Sequence, residues 1–163
     1  METVKSIDPK NLVYLDESGI DNNETYPYGW QQKGHRVHDM KYGERTQRIS
    51  IIGALMQKNL CAPFVFEGSC TRPIFETYLE KILIPVLKPG KVIVMDNASF
   101  HKGGRIEEII QNAGCSILYL PAYSPDFNPI EHLWFSVKHR IKCYLQNIKR
   151  DLYDAAISVF SKS

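Results

Sequence analysis

The stretch Lys91-Val92-Ile93-Val94-Met95-Asp96 decides the fold class, because four consecutive apolar residues end abruptly at a carboxylate. Leu12-Val13-Tyr14-Leu15-Asp16 has the same form earlier in the chain. A strand that is buried on both faces is apolar at every position, and such strands belong to sheets that carry helices on both faces. The two stretches therefore predict two buried strands of an α/β sheet.

Outward from these strands, turn residues and apolar periodicity predict the other elements. A hairpin is expected over residues 28–37, with its turn near Gly34. Further strands are expected over residues 48–56, 62–66 and 115–120, and helices over 71–84, 104–113, 128–141 and 148–160. In the third helix, Asn128 is the expected N-cap, Pro129 the first residue and Glu131 the third. Three strands followed by alternating strands and helices predict a mixed sheet with helices on its faces.

The composition is that of one ordinary globular domain, over residues 1–163, with 44% hydrophobic and 23% charged residues. The longest apolar run, residues 49–56, is far shorter than the ~20 residues of a membrane helix. The N-terminus lacks the layout of a signal peptide. We therefore expect a cytoplasmic protein without membrane contact. Four cysteines without a Cys-x-x-Cys pair argue against a zinc or redox site, and we expect all four to be buried.

Acidic residues follow both buried strands. Asp16 and Asp96 each come at an expected strand end, and ligands in open α/β sheets bind outside the carboxyl ends of the strands. If the two strands are parallel neighbours, the two carboxylates lie side by side. Because side chains alternate along a strand, Asp16 and Glu17 point to opposite faces, and only one of them is expected to join Asp96. Glu131 offers a third carboxylate, and the 34 residues between it and Asp96 can form one helix and one strand.

Three carboxylates gathered in one place require a cation. Two like charges ~4 Å apart repel by about 4 kcal/mol at an effective dielectric constant of 20. Oxygen ligands suit Mg²⁺ or Mn²⁺, whose remaining positions are filled by water and phosphate oxygens. The chemistry that follows is hydrolysis or transesterification of a phosphodiester with two metal ions.

Each acid also has a purely structural explanation, and spacing alone does not decide between the two. Glu131, three residues after Asn128, matches a capping box. Asp96 fits a cap of the next helix or a brace of the turn that follows it, and an aspartate that closes a strand, as Asp16 does, is common. Asp126 is a rival third ligand, but it is less rigidly aimed than Glu131 because it lies in a loop.

The basic residues are unevenly distributed. Residues 33–48 carry five cations, and residues 133–150 carry five more with no acid among them. Two such segments suit a polyanion such as nucleic acid. Charge alone, however, favours an ordinary solvated helix face.

Three sequence blocks resemble the DDE transposases, most closely the bacterial insertion-sequence enzymes related to the mariner superfamily. The 34-residue separation of Asp96 and Glu131 also fits that superfamily, and the resemblance extends over about residues 12–142. The blocks are Tyr14-Leu15-Asp16-Glu17-Ser18-Gly19, then Val94-Met95-Asp96-Asn97-Ala98-Ser99-Phe100-His101-Lys102, then Tyr119-Leu120-Pro121-Ala122-Tyr123-Ser124-Pro125-Asp126-Phe127-Asn128-Pro129-Ile130-Glu131-His132-Leu133-Trp134.

The resemblance implies a ribonuclease H-like fold, shared with retroviral integrases, in which helices flank a mixed five-stranded sheet. It implies that Asp16 bridges two Mg²⁺ ions, which Mn²⁺ can replace, and that Asp96 and Glu131 each bind one of them. It also implies the reaction, in which one site cuts the ends of a mobile element and joins the freed 3′-hydroxyl to target DNA.

The same resemblance implies supporting residues and a partner. Asn97 and His101 are expected to support the ligands or to contact DNA, although His101 can equally be a packed residue at a helix start. The expected partner is double-stranded DNA, both element ends and target, bound mainly through its phosphates by a homodimer. The cations expected to make these contacts are Lys33, Arg36, Arg45, Arg48, Lys138, Arg140 and Lys142.

Full-length members of this group carry an N-terminal helix-turn-helix region that recognises the terminal inverted repeats. Nothing before Leu12 can form one, so we expect the catalytic domain alone, associated with the nucleoid in a bacterium. Two other functions stay open. One is a structure-selective nuclease of the same fold, which cuts but never joins, and the other is a silent DNA-binding or oligomerising remnant. A remnant would be expected to have lost acids, yet all three remain.

Overall fold

The secondary structure comes from a computed structural model that describes residues 6–21, 47–98, 101–121, 128–148 and 151–161. The strands are β1 (Leu12–Asp21), β2 (Arg48–Met56), β3 (Asn59–Glu67), β4 (Val92–Met95) and β5 (Ser116–Tyr119). The α-helices are α1 (Arg72–Tyr78), α2 (Gly104–Asn112), α3 (Ile130–Ile148) and α4 (Leu152–Phe160). The hairpin expected over residues 28–37 lies outside the described residues.

The five strands form one mixed sheet in the order β3-β2-β1-β4-β5. β2 pairs antiparallel with both β1 and β3, whereas β4 runs parallel to β1 and to β5. The expected mixed sheet of five strands is confirmed. Strand β1, which contains Asp16, and strand β4, which precedes Asp96, are parallel neighbours, and this is the condition under which the two acids were expected to meet.

Helices cover both faces of the sheet, because successive side chains of each strand point to opposite faces. On one face, Leu15 packs with Phe75 of α1 and Ile106 of α2. On the other face, Ile51 packs in the cluster that contains Trp134 of α3 and apolar residues of α4. Helix α3, which carries Glu131, is therefore fixed against the sheet by buried apolar contacts.

Strand β1 is longer than the sequence predicts. We expected it to end at Asp16, but it continues to Asp21 because its second half keeps pairing with β2, as far as the pair Asp21–Arg48. Its pairing with β4 stops earlier, at Tyr14–Val94. Asp16 thus lies where the neighbouring strand ends, although its own strand goes on.

The helices differ from expectation mainly at their ends. The helix expected over residues 71–84 is α-helical only to Tyr78 and continues as a π turn (Leu79–Leu83) and a 3₁₀ turn (Ile84–Val86). Helix α4 begins at Leu152, after Asp151 accepts a hydrogen bond from Asp154 N–H at 2.7 Å. None of the described helices is long and apolar enough to cross a lipid bilayer.

The cysteines lie at different depths. Cys115 is buried, Cys61 and Cys70 are half-buried, and Cys143 is exposed. The expectation that all four are buried is therefore wrong for Cys143, which lies on the solvent side of α3 because the buried stripe of that helix passes through Val137 and Ile141.

Candidate active site

Strands β1 and β4 bring Asp16 and Asp96 to the same end of the sheet. Their parallel register pairs Tyr14 with Val94, so the two acids are level two residues further along. β4 ends at Met95, and Asp96 is the first residue beyond it. The negative charge of Asp96 contributes to the protonation equilibrium of Asp16, which is consistent with their proximity.

Asp16 is half-buried on the α3 side of β1. Its Oδ2 accepts a hydrogen bond from Trp134 Nε1 at 3.1 Å. Burial, followed by the charge of Glu17, raises the pKa of Asp16 to about 7, and the hydrogen bonds that it accepts offset this only in part. Such a carboxyl lies in a negative, poorly solvated place, where a cation would stabilise its charged form.

Trp134 reaches Asp16 because β2 has no side chain at the position where the indole lies. Gly53 is the residue of β2 directly opposite Asp16. A Cβ atom at Gly53 would stand 3.0 Å from Trp134 Cη2 and 2.9 Å from Leu60 Cδ1. The glycine therefore lets the indole of Trp134 pack close against the sheet. From this position the indole N–H reaches the Asp16 carboxylate, and the hydrogen bond links α3 to β1.

His101 connects Asp96 to Glu17. Its Nδ1 lies 2.6 Å from Asp96 Oδ1, and its Nε2 lies 3.2 Å from Glu17 Oε2. The imidazole is only 1% exposed, and its ring centroid lies 4.4 Å from that of Phe75. The hydroxyl of Tyr119 donates to the His101 carbonyl at 3.0 Å, so the backbone of this residue is held as well.

His101 is a buried cation between two carboxylates. Burial alone would lower the pKa of His101, but the hydrogen bonds to Asp96 and Glu17, together with their charges, outweigh it and raise the pKa to about 9. The same bond from His101 is the main cause of a lowered pKa for Asp96, helped by the N–H of Ala98. An imidazolium donates through both ring nitrogens, so it holds both carboxylates at once.

Asp96 is oriented through one oxygen. Its Oδ1 accepts from Ala98 N–H at 3.0 Å and from the His101 ring, whereas no described residue donates to Oδ2. Asp96 thus braces the turn after β4, as the structural explanation of this residue proposed. That role leaves Oδ2 available to a ligand from solvent, because the side chain of Asp96 is 52% exposed.

Glu131 lies in the first turn of α3 and is exposed. It lines an open cleft of about 410 Å³ together with Asp16, Trp134, Phe135 and Lys138. Asp16 and Glu131 therefore face one cavity from two different elements.

The three acids are brought to one end of the sheet but do not form a closed set of ligands. Among the described residues, no three His, Cys, Asp or Glu side chains stand close enough together to hold a metal ion. Carboxylates repel one another without a cation between them. The donor atoms of Asp16, Asp96 and Glu131 are all oxygens, which is the chemistry that Mg²⁺ and Mn²⁺ prefer, so the residues fit these ions.

The capping box expected at the start of α3 is wrong. The helix begins at Ile130, and Asn128 contributes its carbonyl, which accepts from Glu131 N–H at 3.1 Å. The side-chain oxygen of Asn128 is buried and bonds to none of the described residues. Because this side chain does not cap the helix, a capping box does not explain the presence of Glu131 at this position.

The other expected site residues are spread over the molecule. Asn97 is exposed beside Asp96. Arg48 Nη1 lies 3.6 Å from Asp21 Oδ2 at the end of β1. Lys138 lines the cleft. On α3, Arg140 is exposed and Lys142 is half-buried. The remaining residues fall outside the described part of the chain, and they are Lys33, Arg36, Arg45 and the rival ligand Asp126.

His101 was among the expected supporting residues, whereas sequence reasoning did not assign a supporting contact to Glu17 or Trp134. Only one of Asp16 and Glu17 was expected to join Asp96, and the ring of His101 links Glu17 to Asp96. Trp134, which packs in the core, also donates to Asp16. The sequence signal for Trp134 is its position three residues after Glu131, on a helix whose apolar stripe must face the sheet.

Comparisons with known proteins agree on the family. Residues 11–151 match the DDE superfamily endonuclease family. The transposable element Tcb2 transposase of Caenorhabditis briggsae is 33% identical over 144 residues, which cover 81% of this chain and 52% of that protein. The insertion element IS630 39 kDa protein of Shigella sonnei is 24% identical over 125 residues, covering 76% of this chain and 36% of that protein. The chain thus spans about half or less of the length of these relatives.

Solved structures share the fold at low sequence identity. The crystal structure of the Mos1 strand transfer complex has a TM-score of 0.67 and 16% identity, covering 99% of this chain and 55% of that chain. The catalytic core domain of BIV integrase has a TM-score of 0.56 and 13% identity, covering 94% of this chain and 82% of that chain. The expected ribonuclease H-like fold is confirmed, and the chain belongs to the DDE superfamily endonuclease family.

Proposed function

We propose that this chain is the catalytic domain of a DNA transposase, which cuts phosphodiester bonds at the ends of a mobile element and joins the freed 3′-hydroxyl to target DNA. The observation that carries the proposal is the placement of Asp16 and Asp96 level with each other on β1 and beyond β4, with Glu131 facing the Asp16 cleft from α3. The names of the Tcb2 and Mos1 relatives support it.

Asp16, Asp96 and Glu131 would hold two Mg²⁺ ions, and Mn²⁺ should substitute for them. Support comes from their oxygen donors, from the negative surroundings of Asp16, and from structures of the Mos1 catalytic domain with Mn and with Mg. When bound, such ions stabilise charge on the attacking and leaving oxygens of a phosphodiester and make water or a 3′-hydroxyl a better nucleophile.

The residues around the triad would keep the ligand oxygens in place. His101 and Ala98 would hold Oδ1 of Asp96 and leave Oδ2 for a metal ion. Trp134 fixes Oδ2 of Asp16, and because it lies one turn from Glu131 it also sets the distance between α3 and β1. Partners of this kind typically change metal affinity or activity by about 10- to 100-fold. His101 thus acts as a positioning residue, with Glu17 holding its far side.

The substrate we propose is double-stranded DNA, bound mainly through phosphates by a homodimer associated with the nucleoid. Lys138 would contact a phosphate at the cleft, and Asn97 a group near Asp96. The cations that would extend the contact are Lys33, Arg36, Arg45, Arg48, Arg140 and Lys142.

A nicking and strand-transfer assay tests this function. The wild-type chain should nick supercoiled plasmid DNA with Mg²⁺ or Mn²⁺, join a 3′-hydroxyl oligonucleotide to it, and lose both activities with EDTA. Asp16→Asn, Asp96→Asn and Glu131→Gln should each abolish both reactions, whereas Glu80→Gln, an exposed carboxylate on the π turn after α1, should change neither. Nicking without joining would indicate a nuclease of the same fold, and equal activity of the Asp96→Asn variant would refute the assignment.

A further inference from the structure

Phe135 lies in the active-site cleft with its aromatic ring in solvent. It is 68% exposed, and it lines the same cleft as Asp16 and Glu131. It comes four residues after Glu131 and three before Lys138, so the three side chains share one side of α3. The cleft thus has carboxylates at one end and an aromatic ring and a cation along the helix.

The fold does not need Phe135. The buried residues in the described part of α3 are Ile130, Trp134, Val137 and Ile141, each of which is at most 4% exposed, and Phe135 is not among them. An aromatic ring that becomes covered on binding buries a large apolar area, and such rings contribute much of the binding energy at interfaces. The ring is therefore available to a ligand that enters the cleft.

The neighbours of the ring define the chemistry of that ligand. Lys138 attracts an anion, whereas Phe135 offers a flat apolar face, and a nucleotide carries both a phosphate and a flat base. Inside a paired duplex the faces of each base are covered by adjacent bases, so only an unstacked base can meet the ring. A cleft of about 410 Å³ has room for one nucleotide.

We infer that Phe135 is a stacking platform for one unpaired nucleobase of the DNA strand that enters the cleft, and that Lys138 binds the adjoining phosphate. This inference rests on the proposed function, which supplies DNA as the ligand. It adds that the strand must be locally unpaired at the cleft, so the chain prefers DNA that is melted or easily melted there.

Binding of single strands with and without bases tests the inference. Wild-type protein should bind a short oligothymidine about tenfold more tightly than an abasic oligomer of the same length and charge, which is the size of one base–aromatic stack. Phe135→Ala should bind both oligomers equally, and Phe135→Trp should restore the preference. Val86→Ala removes another exposed apolar side chain, 55% exposed and not lining the cleft, and should behave as wild type.

The outcomes separate this inference from the proposed function. A Phe135→Ala variant that keeps the full preference for bases would overturn the stacking platform, whatever the nicking assay shows. A wild-type chain that prefers bases through Phe135 but never nicks DNA would refute the transposase activity and leave the binding site standing. On DNA with an unpaired loop, Phe135→Ala should also lose nicking mainly through a higher KM, because the ring contacts the base and not the reacting phosphate.

Discussion

At the scale of single residues, the buried imidazolium of His101 orients Asp96. Both ring nitrogens are engaged, one by Asp96 at 2.6 Å and the other by Glu17 at 3.2 Å. Glu17 supplies part of the negative charge that keeps the ring protonated and able to donate from both nitrogens. A substitution of Glu17 is therefore expected to disturb the orientation of Asp96, because His101 contacts both carboxylates.

Substitution of Glu17 tests this chain of contacts. Glu17→Gln keeps an oxygen that can accept from His101 but removes the charge, so the orientation of Asp96 should loosen without loss of fold. We expect about tenfold weaker Mg²⁺ activation of nicking, with the melting temperature little changed. The measurement is the nicking rate over a series of Mg²⁺ concentrations, with Glu80→Gln as the matched control. An unchanged Mg²⁺ dependence would contradict the role of Glu17.

At this scale the sequence predicted the faces but not the contacts. The alternation of side chains along β1 correctly assigned Asp16 and Glu17 to opposite faces of the sheet, because period-two geometry is a local property of a strand. The bridge through His101 depends on where the chain returns after β4, which no local pattern specifies. For the same reason the sequence predicts Asn128 as a cap, although its side-chain oxygen is buried and bonds to none of the described residues.

At the scale of elements, the contact between α3 and β2 sets the position of two proposed ligands. The indole of Trp134 packs over Gly53 and donates to Asp16, one turn away from Glu131. The apolar stripe of α3 predicted that this helix faces the sheet. It did not predict the glycine opposite Asp16, because a glycine within a strand does not identify what approaches it.

Gly53→Ala tests the close approach. The new methyl group would meet Trp134 and Leu60 at 3.0 Å and 2.9 Å, so the helix or the indole must shift. Overpacking of this kind costs about 1–3 kcal/mol in the free energy of unfolding, and nicking should fall along with it. Urea denaturation gives the first quantity. Gly104→Ala, at the start of α2, should be neutral or slightly stabilising, because no described atom beyond its chain neighbours and its own helix backbone lies within 4 Å of the added Cβ. Equal stability of the two variants would contradict the close packing.

At the scale of the whole molecule, the reactivity of each cysteine thiol should depend on how deeply the fold buries it. Cys143 is exposed on α3, whereas Cys115 is buried. Burial, followed by the charge of Glu17, raises the pKa of Cys70 to about 12. Only the thiolate reacts, so at about pH 8 iodoacetamide should modify Cys143 first, and the reaction at Cys70 should keep accelerating as the pH rises toward 12. Peptide mass spectrometry checks this order, with urea-unfolded protein as the control. Fast labelling of Cys70 at about pH 8 would contradict the packing.

The two ends of the sheet also carry different residues, and this difference determines where DNA should bind. Asp16, Asp96 and the start of α3 lie at one end of the sheet, whereas the β2–β3 turn lies at the other, because the antiparallel register pairs Leu55 with Tyr14. Lys138 faces the cleft, and Lys58 is exposed on the distant turn.

Each cation that contacts a phosphate releases counterions, so its removal lowers the salt dependence of binding. Lys138→Gln should therefore weaken binding of every DNA sequence to a similar degree and reduce the slope of log K against log salt concentration by about one. Lys58→Gln removes the same charge from the opposite end of the sheet and should leave the slope unchanged. Fluorescence anisotropy titrations at several salt concentrations measure both slopes. If both variants reduce the slope equally, DNA binding depends on net charge alone. That result would contradict a DNA site at the end of the sheet that carries the acids.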